Sequence, residues 1–201
     1  MPKSKQELRL QLRATRSSIP RTKGDQAAAS LCTNASQLPY FNSANRVALY
    51  WAHDDEISTM PLIHSILEQG KECFLPVLLI DPHQKLAFAS YTRETPLIKN
   101  RYDIPEPELT FSSIIRLVDL DIIFVPLVGF DNSGRRLGRG GGYYDATFAE
   151  LHKSKTNKWP KLVGLSYDCQ QIDEVPADIW DWQLDAVVTE SDVFNFRSST
   201  S

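Results

Sequence analysis

The order of apolar segments in this 201-residue sequence predicts an α/β protein, a three-layer α/β/α sandwich built on a mostly parallel sheet. Two observations lead to this class. Short runs rich in Val, Ile, Leu and Phe, typical of buried strands, alternate with longer segments of helical period. In addition, a polar or glycine-rich segment twice separates a strand from the following helix, which is where open α/β sheets carry their sites.

Length and composition fit one globular domain over residues 1–201, with a short flexible tail at about 197–201. The net charge of −3 disfavours general nucleic-acid binding, and no apolar run is long enough for a signal peptide or a membrane span. The three cysteines are isolated and no C-x-x-C spacing occurs, so neither a disulfide framework nor a zinc site is indicated. We therefore expect a cytoplasmic monomer without nucleic-acid or membrane partners.

Two helices are predicted first. Residues 3–17 form one, because Leu8 and Leu12 lie four apart and can face the body of the protein. Four basic residues recur along one face of this helix: Lys5, Arg9, Arg13 and Arg16. Taken alone, such a stripe is typical of a solvated face. Pro20 ends the helix, and an alanine-rich helix follows over about 22–38.

A strand is predicted over 46–51, followed by an acidic turn that ends at Glu56. A helix then runs over about 58–68, with Ser58 or Thr59 as its cap. A strand end again meets a helix start here, although three consecutive acids are by themselves typical of a solvated turn.

Two further strands are predicted, over 73–80 and 86–91. Pro76 indicates that the first of them lies at a sheet edge or ends there, since proline cannot donate to a ladder. The I-P-E-P segment 104–107 is a turn stiffened by two prolines. Glu106 within it is a weak candidate for a site, and a solvated loop carboxylate is the favoured interpretation.

The apolar run 120–128 predicts a buried strand that ends at Pro126 or just after, and a helix begins at about Gly141. Six of the nine glycines and three arginines cluster here: Gly129, Gly134, Gly138, Gly140, Gly141, Gly142, Arg135, Arg136 and Arg139. Bare backbone and helix N–H groups can approach a phosphate closely, and arginine adds forked donors. Asp145 could hold magnesium, a hard cation that binds carboxylate and phosphate oxygens together.

This segment matches neither common phosphate-binding motif. No G-K-[ST] closes it as in a Walker A loop, and Tyr143 stands where the dinucleotide fingerprint has its third glycine. A flexible arginine-rich surface loop is the alternative. Two more strands are predicted after it, over 161–167 and 185–190, and the second closes the sheet.

The stretch from Phe130 to Asp145, F-D-x-x-G-x-R-L-G-x-G-G-G-Y-Y-D, resembles the signature of the 5-formyltetrahydrofolate cyclo-ligase family, also called methenyltetrahydrofolate synthetases. The arginine that usually follows the aspartate in that family is Ala146 here, so a phosphate contact from that position is in doubt. Shorter likenesses follow the chain in order: K-x-x-L-R at 5–9, E-I-S-T at 56–59, I-P-E-P at 104–107, V-G-L-S-Y at 163–167 and D-A-V-V-T-E at 185–190.

The resemblance implies the fold shared by sugar-phosphate isomerases and CoA transferases. It also implies an ATP- and Mg²⁺-dependent enzyme of one-carbon metabolism that converts 5-formyltetrahydrofolate to 5,10-methenyltetrahydrofolate, with release of ADP and phosphate. No nucleophile–base pair stands out in the sequence, and a reaction driven by positioning and charge neutralisation needs none.

Site roles follow from the same resemblance. The ATP-binding residues would be Lys5, Arg9, Arg136, Leu137, Gly138, Arg139, Gly140, Gly141, Gly142, Tyr143 and Tyr144. Of these, Arg136 would stabilise developing phosphate charge and Tyr144 would line the junction with the folate site, so both are predicted to be catalytic. Glu56 would pair with the amino-pyrimidine part of the pterin, and Trp51 would stack on its ring unless it merely packs at the strand end. Asp145 is the predicted metal ligand.

Two alternatives remain at this point. A folate- or nucleotide-binding protein that has lost turnover is favoured only by Ala146. An RNA-binding protein that uses the basic first helix is disfavoured by the acidic net charge and by the lack of interleaved aromatic and basic residues.

Overall fold

The computed structural model describes residues 3–80, 83–110, 113–151, 159–176, 178 and 181–196. The α-helices in this part of the chain are α1 Lys5–Ser17, α2 Arg21–Ala35, α3 Met60–Glu68 and α4 Tyr143–Phe148. The strands are β1 Arg46–Ala48, β2 Glu72–Leu78, β3 Leu86–Tyr91, β4 Leu97–Lys99, β5 Pro105–Pro107, β6 Ile114–Ile115, β7 Ile122–Pro126, β8 Gly129–Phe130, β9 Arg136–Leu137, β10 Lys161–Leu165, β11 Ala186–Val188 and β12 Val193–Asn195. Short 3-10 helices lie at Leu117–Asp119 and Asp168–Gln170.

One eight-stranded sheet runs through the protein in the order β12-β11-β10-β7-β1-β2-β3-β6. The five inner strands from β11 to β2 pair in parallel, and β12, β3 and β6 add antiparallel edges. The mostly parallel sheet is therefore confirmed. From β1 the chain turns outward to β2, whereas β7 is followed outward by β10 and β11, so the strand order reverses between β1 and β7. Ligand sites of open α/β sheets lie at the carboxyl ends of strands at such a point.

Alternating residues of the inner strands feed two separate hydrophobic cores, one on each face of the sheet. On one face, Val47 and Phe124 pack with the buried sides of α2 and α3. On the other, Ala48 and Val125 pack with Phe148 of α4. This is the predicted layered arrangement, with α4 of only six residues as the described helix on the second face. Thr147 links α4 to β3, because its hydroxyl accepts the N–H of Leu86 at 2.9 Å.

Helix α1 lies outside these layers. Its Leu12 belongs to a small third cluster with Val128, Leu137 and Val175 at the carboxyl-end side of β7. Ser4 caps the helix in a complete capping box with Glu7, so the start predicted from sequence is two residues early. The packing of Leu12 holds α1 against the loops that follow β7.

The sequence misplaced several local features. β1 ends at Ala48 rather than at residue 51, and β12 follows β11, so the strand predicted to close the sheet is not the last. Between β7 and α4 the chain makes an extra hairpin of β8 and β9, and strand does not pass directly into helix. The predicted single domain stays a prediction, and its tail at 197–201 lies outside the described residues.

Pro76 does not mark a sheet edge, because β2 lies between β1 and β3. The carbonyl of Phe74 accepts the N–H of Leu49, so alternate residues of β2, including Pro76, direct their backbone polar groups toward β1. The pairing with β1 stops at Phe74, so at Pro76 there is no ladder partner on that side. Proline is tolerated here because β1 is short, and not because β2 is an edge strand.

The start of α3 also differs from a simple capped helix. Thr59 precedes α3, but its buried hydroxyl donates to the carbonyl of Tyr50 at 2.7 Å instead of capping. Ser58 accepts the N–H of Met60 at 3.4 Å. Of the two hydroxyls predicted as alternative caps, that of Ser58 contacts a backbone N–H at the start of α3. That of Thr59 instead links the helix start to the end of the β1 segment.

We predict that Gly164→Ala destabilises the protein by about 1–3 kcal/mol, because overpacking a rigid core forces neighbours out of position. A Cβ atom at Gly164 of β10 would lie 2.5 Å from Leu127 Cδ2. The control is Gly24→Ala in α2, where the nearest atom is the Tyr167 hydroxyl at 3.3 Å and alanine favours the helix. Urea unfolding curves measure both, and equal midpoints for the two variants would contradict the prediction.

Candidate active site

A cavity of about 500 Å³ opens at the carboxyl ends of β1 and β7. Most of its wall comes from α1, the segment after β1, the β4–β5 segment and the stretch from β9 into α4, and β2, β3, the end of β7, Asp178 and Asp181 complete it. All fourteen residues to which the sequence assigns ligand roles line this cavity: Lys5, Arg9, Trp51, Glu56 and the ten residues from Arg136 to Asp145. The structure brings them together, while their roles toward ligands stay predictions.

The first half of the glycine-rich motif builds the hairpin rather than the cavity. Asp131 is buried, and its carboxylate accepts the N–H groups of Ser133, Arg135 and Val175. Gly134 adopts a φ of +77°, which only glycine takes without strain. Phe130 and Asp131 therefore serve the local fold, and the hairpin they shape delivers Arg136 to the cavity.

The second half of the motif forms a loop along the cavity wall. Gly140 and Gly142 have φ values of +104° and +69°, which favour glycine. Arg9 of α1 donates from Nε to the carbonyl of Gly138 at 2.8 Å, and a Cβ atom on Gly140 would approach Arg9 Cζ to 3.4 Å. Arg9 thus holds the loop against α1. Since α4 has only six residues, the groups suited to an anion on this wall are the loop backbone and the arginines rather than a long helix dipole.

Arg136 is the most enclosed cation of the site, with a side chain only 4% exposed. Its Nη2 donates to Asp145 Oδ1 at 2.5 Å, and its Cζ lies 5.9 Å from the ring centre of Tyr144. Its Nε is buried and has no hydrogen-bond partner within the described residues. Burial raises the pKa of Tyr144, and the nearby Glu56 carboxylate raises it further, so this tyrosine stays a hydroxyl donor at neutral pH. A buried, incompletely satisfied guanidinium is suited to an anionic ligand.

Asp145 fits a magnesium ion that is shared with phosphate oxygens. Its side chain is one-third exposed to the cavity, and Arg136 engages only Oδ1. Among the residues the structure describes, no group of three or more His, Cys, Asp and Glu side chains could hold a metal ion by itself. Mg²⁺ commonly binds through one or two carboxylates together with substrate phosphates and waters, so one carboxylate beside a phosphate site is a compatible donor set.

Glu56 faces the cavity from the turn after β1, and its side chain is 5% exposed. Oε2 accepts the N–H of His53 at 3.1 Å. Oε1 lies 2.9 Å from Arg139 Nε, but the N–H is not aligned with it, so this contact is an ion pair without a well-formed hydrogen bond. Burial raises the pKa of Glu56, an effect that Arg139 partly offsets. The carboxylate therefore keeps an oxygen able to accept donors from a ligand, and the predicted solvated turn is wrong at this position.

Trp51 lies beside Glu56 at the cavity wall and is partly exposed. Its ring meets Tyr91 edge to face, with ring centres 6.3 Å apart. The predicted packing at the strand end is therefore observed, and stacking on a ligand stays a prediction for a side chain that borders the cavity.

Lys5 is not an isolated cation. Its Nζ lies 2.7 Å from Asp178 Oδ2 and 3.0 Å from Asp181 Oδ2. Burial lowers the pKa of Lys5, but the two carboxylates outweigh this effect and the net pKa is raised. An incoming phosphate would have to share or displace these partners.

The structure corrects two interpretations of single residues. Glu106 is buried rather than solvated, and it accepts the N–H of Leu78 at 3.1 Å and the side-chain amide of Asn100 at 2.9 Å. Arg16 was assigned with Arg13 to a solvated face, yet Arg16 is only 5% exposed. Leu137, predicted to contact ATP, packs its side chain into the third hydrophobic cluster, so only its backbone is available to a ligand.

Several residues of the cavity were missed by the sequence. Tyr102 and Arg101 reach across from the β4–β5 loop to the hydroxyl of Tyr143, which Tyr102 meets at 3.2 Å. Asp178, Asp181 and Tyr50 also line the wall. Only Arg101 and Tyr102 lie next to a segment that the sequence singled out, the I-P-E-P turn at 104–107. The others come from segments without a motif, and only folding brings them to the cavity.

The family model described as the 5-formyltetrahydrofolate cyclo-ligase family matches residues 1–190 of this chain. The 5-formyltetrahydrofolate cyclo-ligase of Haemophilus influenzae is 39% identical over 180 residues, covering 90% of this chain and 94% of that protein. The enzyme of the same name from Escherichia coli K12 is 38% identical over 173 residues, covering 86% and 91%. The solution structure of 5,10-methenyltetrahydrofolate synthetase from Aquifex aeolicus matches with a TM-score of 0.80 at 30% identity, covering 98% of this chain and 95% of that one.

We predict that Glu106→Gln destabilises the protein by about 1–3 kcal/mol, because the replacement weakens two charge-assisted hydrogen bonds inside a buried site. The matched control is Glu108→Gln, an exposed carboxylate two residues away. Thermal unfolding of the two variants gives the comparison. A solvated loop carboxylate would predict no difference between them.

Proposed function

This chain belongs to the 5-formyltetrahydrofolate cyclo-ligase family, and from that premise we propose an ATP- and Mg²⁺-dependent cyclisation of 5-formyltetrahydrofolate to 5,10-methenyltetrahydrofolate. ADP and phosphate are the other products. The observation that carries the proposal is that Arg136, Arg9 and the glycine loop line the same cavity as Glu56 and Trp51. One cavity thus offers a phosphate-binding side and a side suited to a flat ring with amide-like donors.

The phosphate side depends on Arg136 and on the loop at 138–142. Arg136 is buried beside Asp145 and retains donor capacity at Nε, so it can meet charge that grows on a transferring phosphoryl group. Bare glycine backbone allows close approach of phosphate oxygens. Magnesium held by Asp145 would supply further charge neutralisation to the phosphates.

The folate side depends on Glu56. In the proposed reaction the formyl oxygen attacks the γ-phosphorus and ADP leaves, which converts a poor leaving oxygen into a phosphate. The second folate nitrogen then bonds to the formyl carbon, its proton departs, and the carbon–oxygen bond breaks with release of phosphate. No protein nucleophile is required, so the residues act by orienting the two substrates and excluding water.

The structure weakens the RNA-binding alternative. Within the described residues, Lys5 is paired with Asp178 and Asp181, Arg9 is engaged with the glycine loop, and Arg16 is buried. The basic stripe of α1 therefore is not a continuous exposed surface.

None of the helices among the described residues has the length and apolar character needed to cross a membrane. A monomeric, cytoplasmic state remains part of the proposal.

We predict that the purified protein, given 5-formyltetrahydrofolate, ATP and Mg²⁺, forms methenyltetrahydrofolate, which is followed by its ultraviolet absorbance in acid. Arg136→Ala should lower kcat by roughly 100- to 1000-fold, because a donor to the developing phosphate charge is lost. Glu56→Gln should mainly raise KM for the folate, since its acceptor role lies in substrate binding.

Arg116→Ala serves as the control, because Arg116 is exposed, does not line the cavity and pairs only with nearby Asp119 among the ion pairs described. Normal turnover by Arg136→Ala would remove Arg136 from the proposed mechanism. If the wild-type protein binds folate and ATP in calorimetry but forms no product, the chain is a binding protein, and Ala146 becomes the residue to change to arginine.

We also predict that chelation with EDTA abolishes turnover and that excess Mg²⁺ restores it. Asp145→Asn should raise the Mg²⁺ concentration needed for half-maximal rate, because a charged oxygen ligand is replaced by a neutral one. Asp25→Asn, at an exposed position of α2, is the matched control and should behave as wild type. An unchanged Mg²⁺ dependence in Asp145→Asn would place the metal elsewhere.

A further inference from the structure

Arg16 is a buried cation whose partners do not explain its position. It lies in the last turn of α1 and is only 5% exposed. Its Nε is sealed from solvent without a hydrogen-bond partner, and no carboxylate among the described residues lies within ion-pair distance of it. Burying a charge without an adjacent counter-ion costs free energy, so it is expected to be retained for a reason other than stability.

Arg16 lies at the junction between α1 and the turn that carries Glu56. Ser17, the next residue, donates its hydroxyl to Asp55, the residue before Glu56. The same helix packs on the 3-10 helix Asp168–Gln170. The positive charge of Arg16 lowers the pKa of Glu56, after the larger opposing effect of burial and the larger favourable effect of Arg139. The burial of Arg16 and the contact between Ser17 and Asp55 thus place a fixed positive charge beside the turn that carries Glu56, and Arg16 is not among the residues that line the cavity.

Arg139, the other counter-charge of Glu56, is placed differently. Its side chain is one-third exposed, lies in the glycine loop and lines the cavity. It also donates to the carbonyl of His53 at 3.2 Å, so it bridges the phosphate side and the folate side. A nucleotide phosphate chain carries several negative charges and would compete with one carboxylate for this guanidinium. Glu56 would then lose its nearest counter-charge when the nucleotide binds.

We propose that Arg16 is a positioning residue, a permanent second positive charge beside the Glu56 turn that holds the buried carboxylate ready to accept the pterin while Arg139 engages the nucleotide phosphates. This inference rests on the proposed function, because it assigns Glu56 to the folate. Arg16 acts through Glu56 and touches neither substrate.

The groups that face Glu56 decide the direction of the pH effect. They come from each element around it: His53 and Asp54 from its own turn, Tyr50 from the end of the β1 segment, Tyr144 from α4, Arg139 from the glycine loop and Arg16 from α1. Removing Arg16 removes one of two nearby positive charges, so the pKa of Glu56 must rise. Folate binding, which requires the carboxylate, is then lost at a higher pH as the solution is acidified, and is unchanged at alkaline pH.

The direct test is the titration of the Glu56 side-chain carboxyl by carbon-13 NMR in the full chain, with its resonance assigned by its loss in Glu56→Gln. In Arg16→Gln the midpoint should move up by about one pH unit, the effect of losing a nearby opposite charge. Arg16→Lys should keep the midpoint near that of the wild type. Arg21→Gln, which removes an exposed arginine at the start of α2, is the control and should not move it.

A Glu56 midpoint in Arg16→Gln equal to that in Arg21→Gln would overturn the proposal. Should Arg16→Gln not fold, Arg16→Met keeps the apolar stem and carries the same test; failure of both to fold would assign Arg16 to the fold instead. The pH profile of 5-formyltetrahydrofolate binding is measured alongside. Absence of folate binding by the wild type would refute the proposed function, whereas wild-type binding with an unshifted profile in Arg16→Gln would refute only the role of Arg16.

Discussion

The parallel pairing of β1 with β7 is the constraint from which the site follows. Val47 pairs with Ile122 and Ala48 with Ile123, which brings the ends of two distant strands to one edge of the sheet. β1 stops after Ala48, so the backbone of β2 beyond Phe74 loses its neighbour and borders a cavity. Pro76 needs no donor partner there, and the N–H of Leu78 is satisfied by the buried Glu106. Because β1 is short, a space remains beside β2, and the carboxylate of Glu106 forms part of the wall of that cavity.

Each cation that lines the cavity already has an anionic or carbonyl partner in the described structure. Lys5 pairs with Asp178 and Asp181, Arg136 with Asp145, and Arg139 with Glu56. Such pairs hold long side chains in place before a ligand arrives, which lowers the entropy lost on binding. They also mean that a polyanionic ligand binds by exchanging partners, and Glu56 is the carboxylate most affected because it is the most deeply buried. In the proposed role of Arg16, its fixed charge would remain near Glu56 during that exchange.

The helical and strand periods in the sequence predicted several local elements well. α1, α3, β3 and the strand ending at Pro126 lie within a few residues of their predicted bounds, because helix and strand periods are short-range properties. The resemblance carried by 130–145 indicated the family and the ten cavity residues from Arg136 to Asp145, since those residues are contiguous in the chain. The pattern did not separate the hairpin-forming role of Asp131 from the cavity-facing role of Arg136, because both belong to the same motif.

By itself, the sequence predicted the longer helices and strands, the family that the chain resembles and the loop proposed to face phosphate, because these depend on neighbours along the chain. Only the tertiary structure decided that Arg16 and Glu106 are buried, that Lys5 meets Asp178 and Asp181, and that Arg139 spans the two sides of the cavity. Burial and ion pairing depend on segments that are distant from one another along the chain, and the spacing of charges along a helix does not reveal which of them another element will cover.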